Sequence, residues 1–269
     1  MDEERFVEVH RPPNTHRVYV RSAGEEGPTF VLIHGLACNL TFFEDQVTPL
    51  GELGRVVRID LPGHGRSDVP EVSYTLDFMV EAVRTVLSEL GIQQAIFIGH
   101  SMGELVVRRL YARVPERFLA YIALDGLVYY EPFGCVYGGV GMLMRTPLYR
   151  SIWGSFVGQM MSKHTPDDLK TKISTTMLAA PPFVVKDLTN AILTIEDTDQ
   201  APIEVPVLAL NAGEFNYAAP ELTDKIRSIA PTSERVVLAG VGHFLHAEAS
   251  DQVNRLIVSF VRRFVTATP

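Results

Sequence analysis

Short apolar runs bounded by turn residues recur along the chain at Thr29 to His34, Arg55 to Asp60, Ala95 to Gly99, Phe118 to Asp125, Val205 to Asn211 and Arg235 to Ala239. Several show little polar alternation, which is the pattern of strands covered on both faces. Between them lie Leu76 to Leu90, Met102 to Arg113, Pro220 to Ala230 and Asp251 to Phe264, where apolar residues return every three or four positions. That spacing predicts amphipathic helices. Strands alternating with helices predict an α/β architecture, a mostly parallel sheet flanked by helices on both faces. Arg5 to His10 and Arg17 to Ser22 alternate more openly and are joined through Pro12-Pro13-Asn14, which predicts an antiparallel hairpin at one sheet edge.

The alternation stops for the 78 residues from Leu127 to Glu204, which hold Gly138-Gly139, Pro147, Pro166, Pro181-Pro182 and the single Trp153. A plain loop of that length is uncommon. Helical spacing is recognisable in Met142 to Met161, after Pro166 and around Val184 to Ile195, so residues 127–204 are expected to form a mostly helical cap insertion. Residues 1–126 and 205–269 then make one core domain. The Met, Phe and Trp side chains of the insertion read first as core filling and only second as ligand contacts.

Composition narrows the function classes. A chain that is 46% hydrophobic and 21% charged folds as a globular protein. Acidic residues outnumber basic ones, 32 to 24, for a formal charge of −8, and no run of Lys and Arg exceeds two. A nucleic-acid groove needs the opposite potential. No stretch reaches the roughly 18 apolar residues of a membrane span, and the start, Met1-Asp2-Glu3-Glu4-Arg5, is unlike a secretory signal, so a cytoplasmic protein is expected. Cys38 and Cys135 lie far apart, without zinc-ligand spacing, and are expected to be reduced.

The chemistry concentrates in Gly99-His100-Ser101-Met102-Gly103, directly after an apolar run and directly before a helical one. A serine at a tight strand-to-helix turn needs small neighbours two positions either side, because the backbone there is strained and closely packed. Such a turn lifts the hydroxyl clear of the sheet and sets it beside a helix N-terminus. The bland alternative is a structural turn serine. A hydroxyl needs a base to take its proton. His243 follows the last strand within Gly240-Val241-Gly242-His243-Phe244, where glycines let a loop swing an imidazole over the sheet edge. His246, three residues on, is the rival, read as a packing or helix-start residue.

These residues resemble the α/β-hydrolase fold superfamily, in its capped branch of esterase-like and C–C-hydrolase-like enzymes. The resemblance spans nearly the whole chain. It rests on His34-Gly35 after a strand, Asp60-Leu61-Pro62-Gly63-His64-Gly65-Arg66-Ser67 after the next, the serine turn, and Gly242-His243-Phe244-Leu245-His246-Ala247-Glu248 near the end. It implies that the backbone N–H groups of Leu36 and Met102 form an oxyanion hole, although His34-Gly35 also fits a strand-ending turn. His64 and Arg66 are expected to tie their loop to neighbouring backbone. Where relatives carry an aspartate after the penultimate strand, this chain has Gly213-Glu214-Phe215-Asn216, and an amide cannot balance an imidazolium. Asp125, at the end of the Phe118 to Leu124 run, is the favoured replacement, ahead of Glu214 and of Asn216 or no acid at all. The bland alternative for Asp125 is a turn aspartate. Glu104 is read as complementing a helix dipole.

Serine, histidine and a carboxylate around an oxyanion hole perform acyl transfer. The expectation is therefore a serine hydrolase, carboxylesterase-like, acting on a small and largely apolar ester or lactone under the helical cap. Two rivals stand beside it: a meta-cleavage type C–C bond hydrolase, and a ligand-binding protein of the same fold with little or no turnover. No phosphate loop, cofactor motif or metal-ligand spacing is present, so neither cofactor nor metal is expected. The expected partner is a small-molecule substrate, with neither nucleic acid nor membrane, and a homodimer is left open.

Overall fold

In the strands at the middle of the chain, odd and even positions face two separate cores. The computed structural model describes residues 2–11, 14–24, 26–126, 128, 149–194, 202–214 and 220–265. Eight strands make one sheet: β1 (Glu3–Arg11), β2 (Asn14–Ala23), β3 (Thr29–Ile33), β4 (Arg55–Ile59), β5 (Ala95–His100), β6 (Phe118–Leu124), β7 (Val207–Ala212) and β8 (Ser233–Leu238). Their order is β1-β2-β4-β3-β5-β6-β7-β8. β1 and β2 form the antiparallel edge hairpin, β2 runs antiparallel to β4, and every later pairing is parallel. The hairpin's Pro12-Pro13 connection lies outside the described residues.

Because side chains alternate across a pleated strand, each run of unbroken hydrophobicity supplies both faces. Val31, Ile33, Val57, Ile59, Phe97, Tyr121 and Ala209 pack on one side, against α2 (Leu76–Glu89) and α3 (Met102–Tyr111). Phe30, Leu32, Val56, Ile96, Ile98, Ile122 and Leu208 pack on the other. There they meet Leu50 of α1 (Glu44–Gly51) and Val253, Ile257, Phe260 and Val261 of the C-terminal helix, Ser250–Phe264. Each such side chain contributes about 1.5–3 kcal/mol on burial. Thr75 caps α2 by accepting the Phe78 N–H through its hydroxyl, 3.1 Å.

The sequence pattern missed α1 and the short 3₁₀ turn Leu40–Phe43 before it. α1 buries only Gln46 and Leu50 and contains Pro49, so it carries almost no apolar period. Proline removes the N–H that would bond the Asp45 carbonyl. The Asn254 side-chain amide donates to that carbonyl instead, at 2.8 Å, and Gln46 donates to the His246 carbonyl at 2.8 Å. The helix is therefore held by polar contacts to the far C-terminal region.

Between β6 and β7 the described residues form α4 (Tyr149–Gln159), α5 (Asp167–Ala179) and α6 (Pro182–Leu193). The Gly138-Gly139, Met142 and Pro147 stretch lies outside the described residues, as does Cys135. Trp153 donates its indole N–H to the Met177 carbonyl, 3.1 Å, joining α4 to α5. Tyr149, Trp153, Val157, Met160, Ile173, Met177 and Val185 form a third apolar cluster with Ala37, Cys38 and Phe42 of the loop after β3 and with Phe244 of the loop after β8. These helices therefore rest on loops leaving the C-terminal edge of the sheet, where parallel α/β proteins bind ligands. α7 (Leu222–Ile229) precedes β8, the His243 loop follows that strand, and α8 (Leu245–Glu248) and α9 (Ser250–Phe264) follow the loop. Among the described residues, no helix is long and apolar enough to cross a membrane.

Candidate active site

Ser101 sits between β5 and α3 at φ 54°, ψ −120°, in the left-handed half of the map that a residue with a Cβ seldom occupies. The turn leaves no room beside it. A Cβ on Gly99 would lie 2.6 Å from Glu104 Cα, and one on Gly103 would lie 2.1 Å from the Ile33 carbonyl oxygen. The Ser101 N–H is used by the sheet, donating to the Leu124 carbonyl at 3.1 Å. Met102 opens α3, so its own N–H has no carbonyl within the helix. The loop after β3 comes up alongside: a Cβ on Gly35 would sit 3.2 Å from Ser101 Cβ, and Ala37 takes φ 59°. Leu36 lies between these two residues.

His34 fixes that loop from below. It is fully buried, donates from Nδ1 to the Gly35 carbonyl at 2.8 Å and accepts the Leu61 N–H on Nε2 at 3.0 Å. Burial, with the His64 ring nearby, lowers its pKa to about 3, so the imidazole is neutral and can accept that bond. His64 bonds the Pro62 carbonyl through Nδ1, 2.9 Å, as expected of a loop-tying residue. Arg66 behaves differently from expectation: its side chain pairs with the Glu4 carboxylate and the Tyr19 hydroxyl, and only its backbone N–H serves the loop, donating to Asp60. Asp60 is the organiser that the pattern did not reveal, accepting the N–H groups of Leu40 and Arg66 at 2.7 and 2.8 Å.

Asp125 ends β6 at φ 45° and is fully buried. Its backbone N–H joins the Leu210 carbonyl at 2.7 Å, and its Oδ1 accepts the Ala212 N–H at 2.8 Å. The other oxygen, Oδ2, lies 2.6 Å from Nδ1 of His243. A carboxylate held at both oxygens cannot turn away, so it sets both the orientation and the tautomer of the imidazole, with the proton on Nδ1 and the lone pair on Nε2. His243 is buried, and its ring lies 4.8 Å from that of His100, the neighbour of Ser101. The His243 carbonyl accepts the His100 Nε2–H at 2.9 Å, a tie that no short motif reveals because it joins positions 143 apart. Desolvation holds His100 well below the ordinary histidine pKa, and the neighbouring imidazoles add to the effect.

Glu214 stands elsewhere. Its residue is exposed, and its backbone N–H donates to the Val241 carbonyl at 3.1 Å. Asn216 lies outside the described residues. His246 is fully buried between the rings of Phe43 and His100, at 5.0 and 4.4 Å, and burial lowers its pKa to about 3. Glu104, in the first turn of α3 as its reading as a complement to the helix dipole requires, is also fixed by groups outside that helix. It is fully buried, its carboxylate accepts the Tyr121 hydroxyl, and Gly126 packs so closely that a Cβ there would meet the Glu104 stem at 2.5 Å. Packing against the Asp125-Gly126 turn, which sequence spacing does not reveal, placed it inside.

One hydroxyl on a strained turn, an imidazole tethered to a buried carboxylate, and backbone N–H groups at a helix start form a set able to support nucleophilic acyl transfer. Residues 28–134 match the family model described as alpha/beta hydrolase fold. A provisionally named esterase/lipase of Haemophilus influenzae is 28% identical over 242 residues, 88% of this chain and 84% of that protein. A provisionally named non-heme haloperoxidase of Mycobacterium phage D29 is 39% identical over 110 residues, which is 40% of this chain and only 39% of the phage protein's length. Among solved structures, a thermophilic esterase from Thermogutta terrifontis superposes with a TM-score of 0.84 at 21% identity, covering 97% of this chain and 99% of that one.

Proposed function

We propose that this chain, which has the α/β-hydrolase fold, is a member of the superfamily of that name and a serine hydrolase cleaving a small, largely apolar ester or lactone through an acyl-enzyme. Ser101 is the nucleophile, His243 the base and Asp125 the acid, with the N–H groups of Leu36 and Met102 as the oxyanion hole. The observation that carries this reading is the 2.6 Å bond from His243 Nδ1 to the fully buried Asp125. It supplies the imidazole with a carboxylate partner without recourse to Asn216, which favours turnover over a protein of this fold that only binds ligands.

The reaction follows from these positions. Ser101 Oγ attacks the carbonyl carbon while its proton passes to His243 Nε2, and Asp125 balances the imidazolium that results. Negative charge on the carbonyl oxygen falls to the two N–H donors. Collapse of the tetrahedral intermediate expels the alcohol, which takes its proton from His243, and water then repeats the sequence on the acyl-enzyme. Helices α4 to α6 act as the cap. Their contribution to the third cluster is Tyr149, Trp153, Val157, Met160, Ile173, Met177 and Val185, which favours apolar acyl groups.

A fluorophosphonate probe tests this directly. Stoichiometric labelling at Ser101 is expected, together with turnover of small p-nitrophenyl esters that falls about 10⁶-fold in Ser101→Ala. Labelling that persists in that variant, or hydrolysis confined to long-chain emulsions, would overturn the proposal.

A further inference from the structure

The loop that carries His243 is bonded on both of its leading N–H groups, and neither bond is to the sheet. The His243 N–H donates to the Met160 carbonyl at the end of α4, 2.8 Å. The preceding Gly242 N–H donates to Oε2 of Glu248 at 3.0 Å, and that same oxygen accepts the Thr165 hydroxyl at 2.8 Å. Thr165 belongs to the connection between α4 and α5, where its hydroxyl lies 3.2 Å from that of Ser162 and its N–H bonds the Ser162 carbonyl at 3.2 Å. Clearance around the loop is minimal: a Cβ on Gly242 would lie 2.6 Å from Ser162 N, 2.7 Å from Glu248 Oε1 and 2.8 Å from the Met160 carbonyl oxygen.

These contacts share one property. They tie the backbone on which the imidazole is mounted to the helices between β6 and β7, and Glu248 Oε2 is the atom on which the loop and those helices converge. We infer that Glu248 is a positioning residue for His243, forming with Thr165 a latch that makes the placement of the base depend on how the α4–α5 connection is seated. The inference rests on the serine-hydrolase reading above. Asp125 sets the orientation and tautomer of the ring, whereas the latch sets the height of the loop beneath it.

Loss of the latch lets the imidazole drift while leaving the apolar contacts to substrate in place, so the effect falls on kcat and spares KM. A displacement of about 1 Å costs up to about 10²-fold in rate. The test is kcat for a small p-nitrophenyl ester, expressed per active site titrated with a fluorophosphonate, in Glu248→Ala, Glu248→Gln and Thr165→Val. Expected are a drop of about ten- to a hundredfold in Glu248→Ala with KM nearly unchanged, a smaller drop in Thr165→Val, partial rescue in Glu248→Gln, which keeps an acceptor oxygen, and a double variant no worse than Glu248→Ala alone. Normalising to titrated sites removes any loss caused by unfolding, and Thr165→Val covers the case in which Glu248→Ala does not fold. A per-site kcat unchanged in both single variants, or losses that multiply in the double variant, would overturn the latch. If Ser101→Ala retains activity, the underlying reading fails; if Ser101→Ala is inactive and per-site kcat is unchanged in the latch variants, only the latch fails.

Discussion

The serine turn and the histidine loop lie against each other but are made in opposite ways. The turn is steric: Ser101 is forced to φ 54° between a strand and a helix, and Gly99 and Gly103 are pressed against backbone on both sides. The loop is close-packed at Gly242 but held in place chiefly by hydrogen bonds. Its residue Gly240 takes φ 74° with nothing within 4 Å of an added Cβ, and its catalytic candidate is held by hydrogen bonds to Asp125, His100 and Met160, positions far away in sequence. A geometry made by sterics tolerates no extra atoms. One held by hydrogen bonds tolerates atoms where it faces open space, as at Gly240, and depends on every donor and acceptor being present.

The sharpest way to break that comparison is to remove charge from the loop's anchor without changing its shape. Asp125→Asn is expected to lower turnover by about 10⁴-fold, the scale found when the acid of a serine triad becomes an amide. Glu214→Gln, at an exposed residue, is expected to leave turnover at the wild-type level. Equal losses in the two variants, measured as kcat on one small ester, would mean that the acid is misassigned.

Adding a methyl group probes the other side of the contrast. Gly103→Ala drives a Cβ into the Ile33 carbonyl and is expected to cost about 1–3 kcal/mol or more, as overpacking does. Gly240→Ala meets no neighbour and bears only the left-handed backbone penalty of about 1–2 kcal/mol. Urea unfolding midpoints compare the two, and a Gly240→Ala variant the less stable of the pair would contradict a sterically built turn.

The smallest expected effect is on the acid sensitivity of folding. His34, His64 and His246 are buried, and desolvation lowers their pKa values from 6.5 to about 3, 4 and 3. In the unfolded chain they take up protons near pH 6.5, whereas the folded protein resists until much lower pH. Between those limits the unfolded state binds more protons, so stability is complete above pH 6.5 and is lost as pH falls toward 3 to 4. His246→Phe keeps a ring between Phe43 and His100 while removing one such group. The melting temperature of this variant is expected to fall less steeply from pH 7 to pH 5 than that of the parent, and an identical slope would exclude His246 as a contributor.

Much of the architecture was legible from periodicity, because a strand buried on both faces and a helix buried on one leave different spacings in the chain. The order of strands from Thr29 onward and the edge hairpin are read in that way. α1 was not, since Pro49 and a mostly polar surface erase its period and polar contacts from Gln46 and Asn254 hold it in place. The burial of Glu104 was not legible for a related reason: a carboxylate in the first turn of a helix satisfies a dipole argument whether it faces water or Tyr121.

By itself, the sequence determined that a serine stands on a strained strand-to-helix turn and that a histidine follows the last strand just after two glycines, because both features follow from local sequence and sterics. Only the tertiary structure decided which carboxylate meets that imidazole. The sequence ranks Asp125 ahead of Glu214, because it ends the strand beside the nucleophile turn, but strand position alone does not bring a carboxylate to the ring. The choice depends on the packing of β6 between β5 and β7, which brings a buried oxygen to within 2.6 Å of a ring 118 positions away.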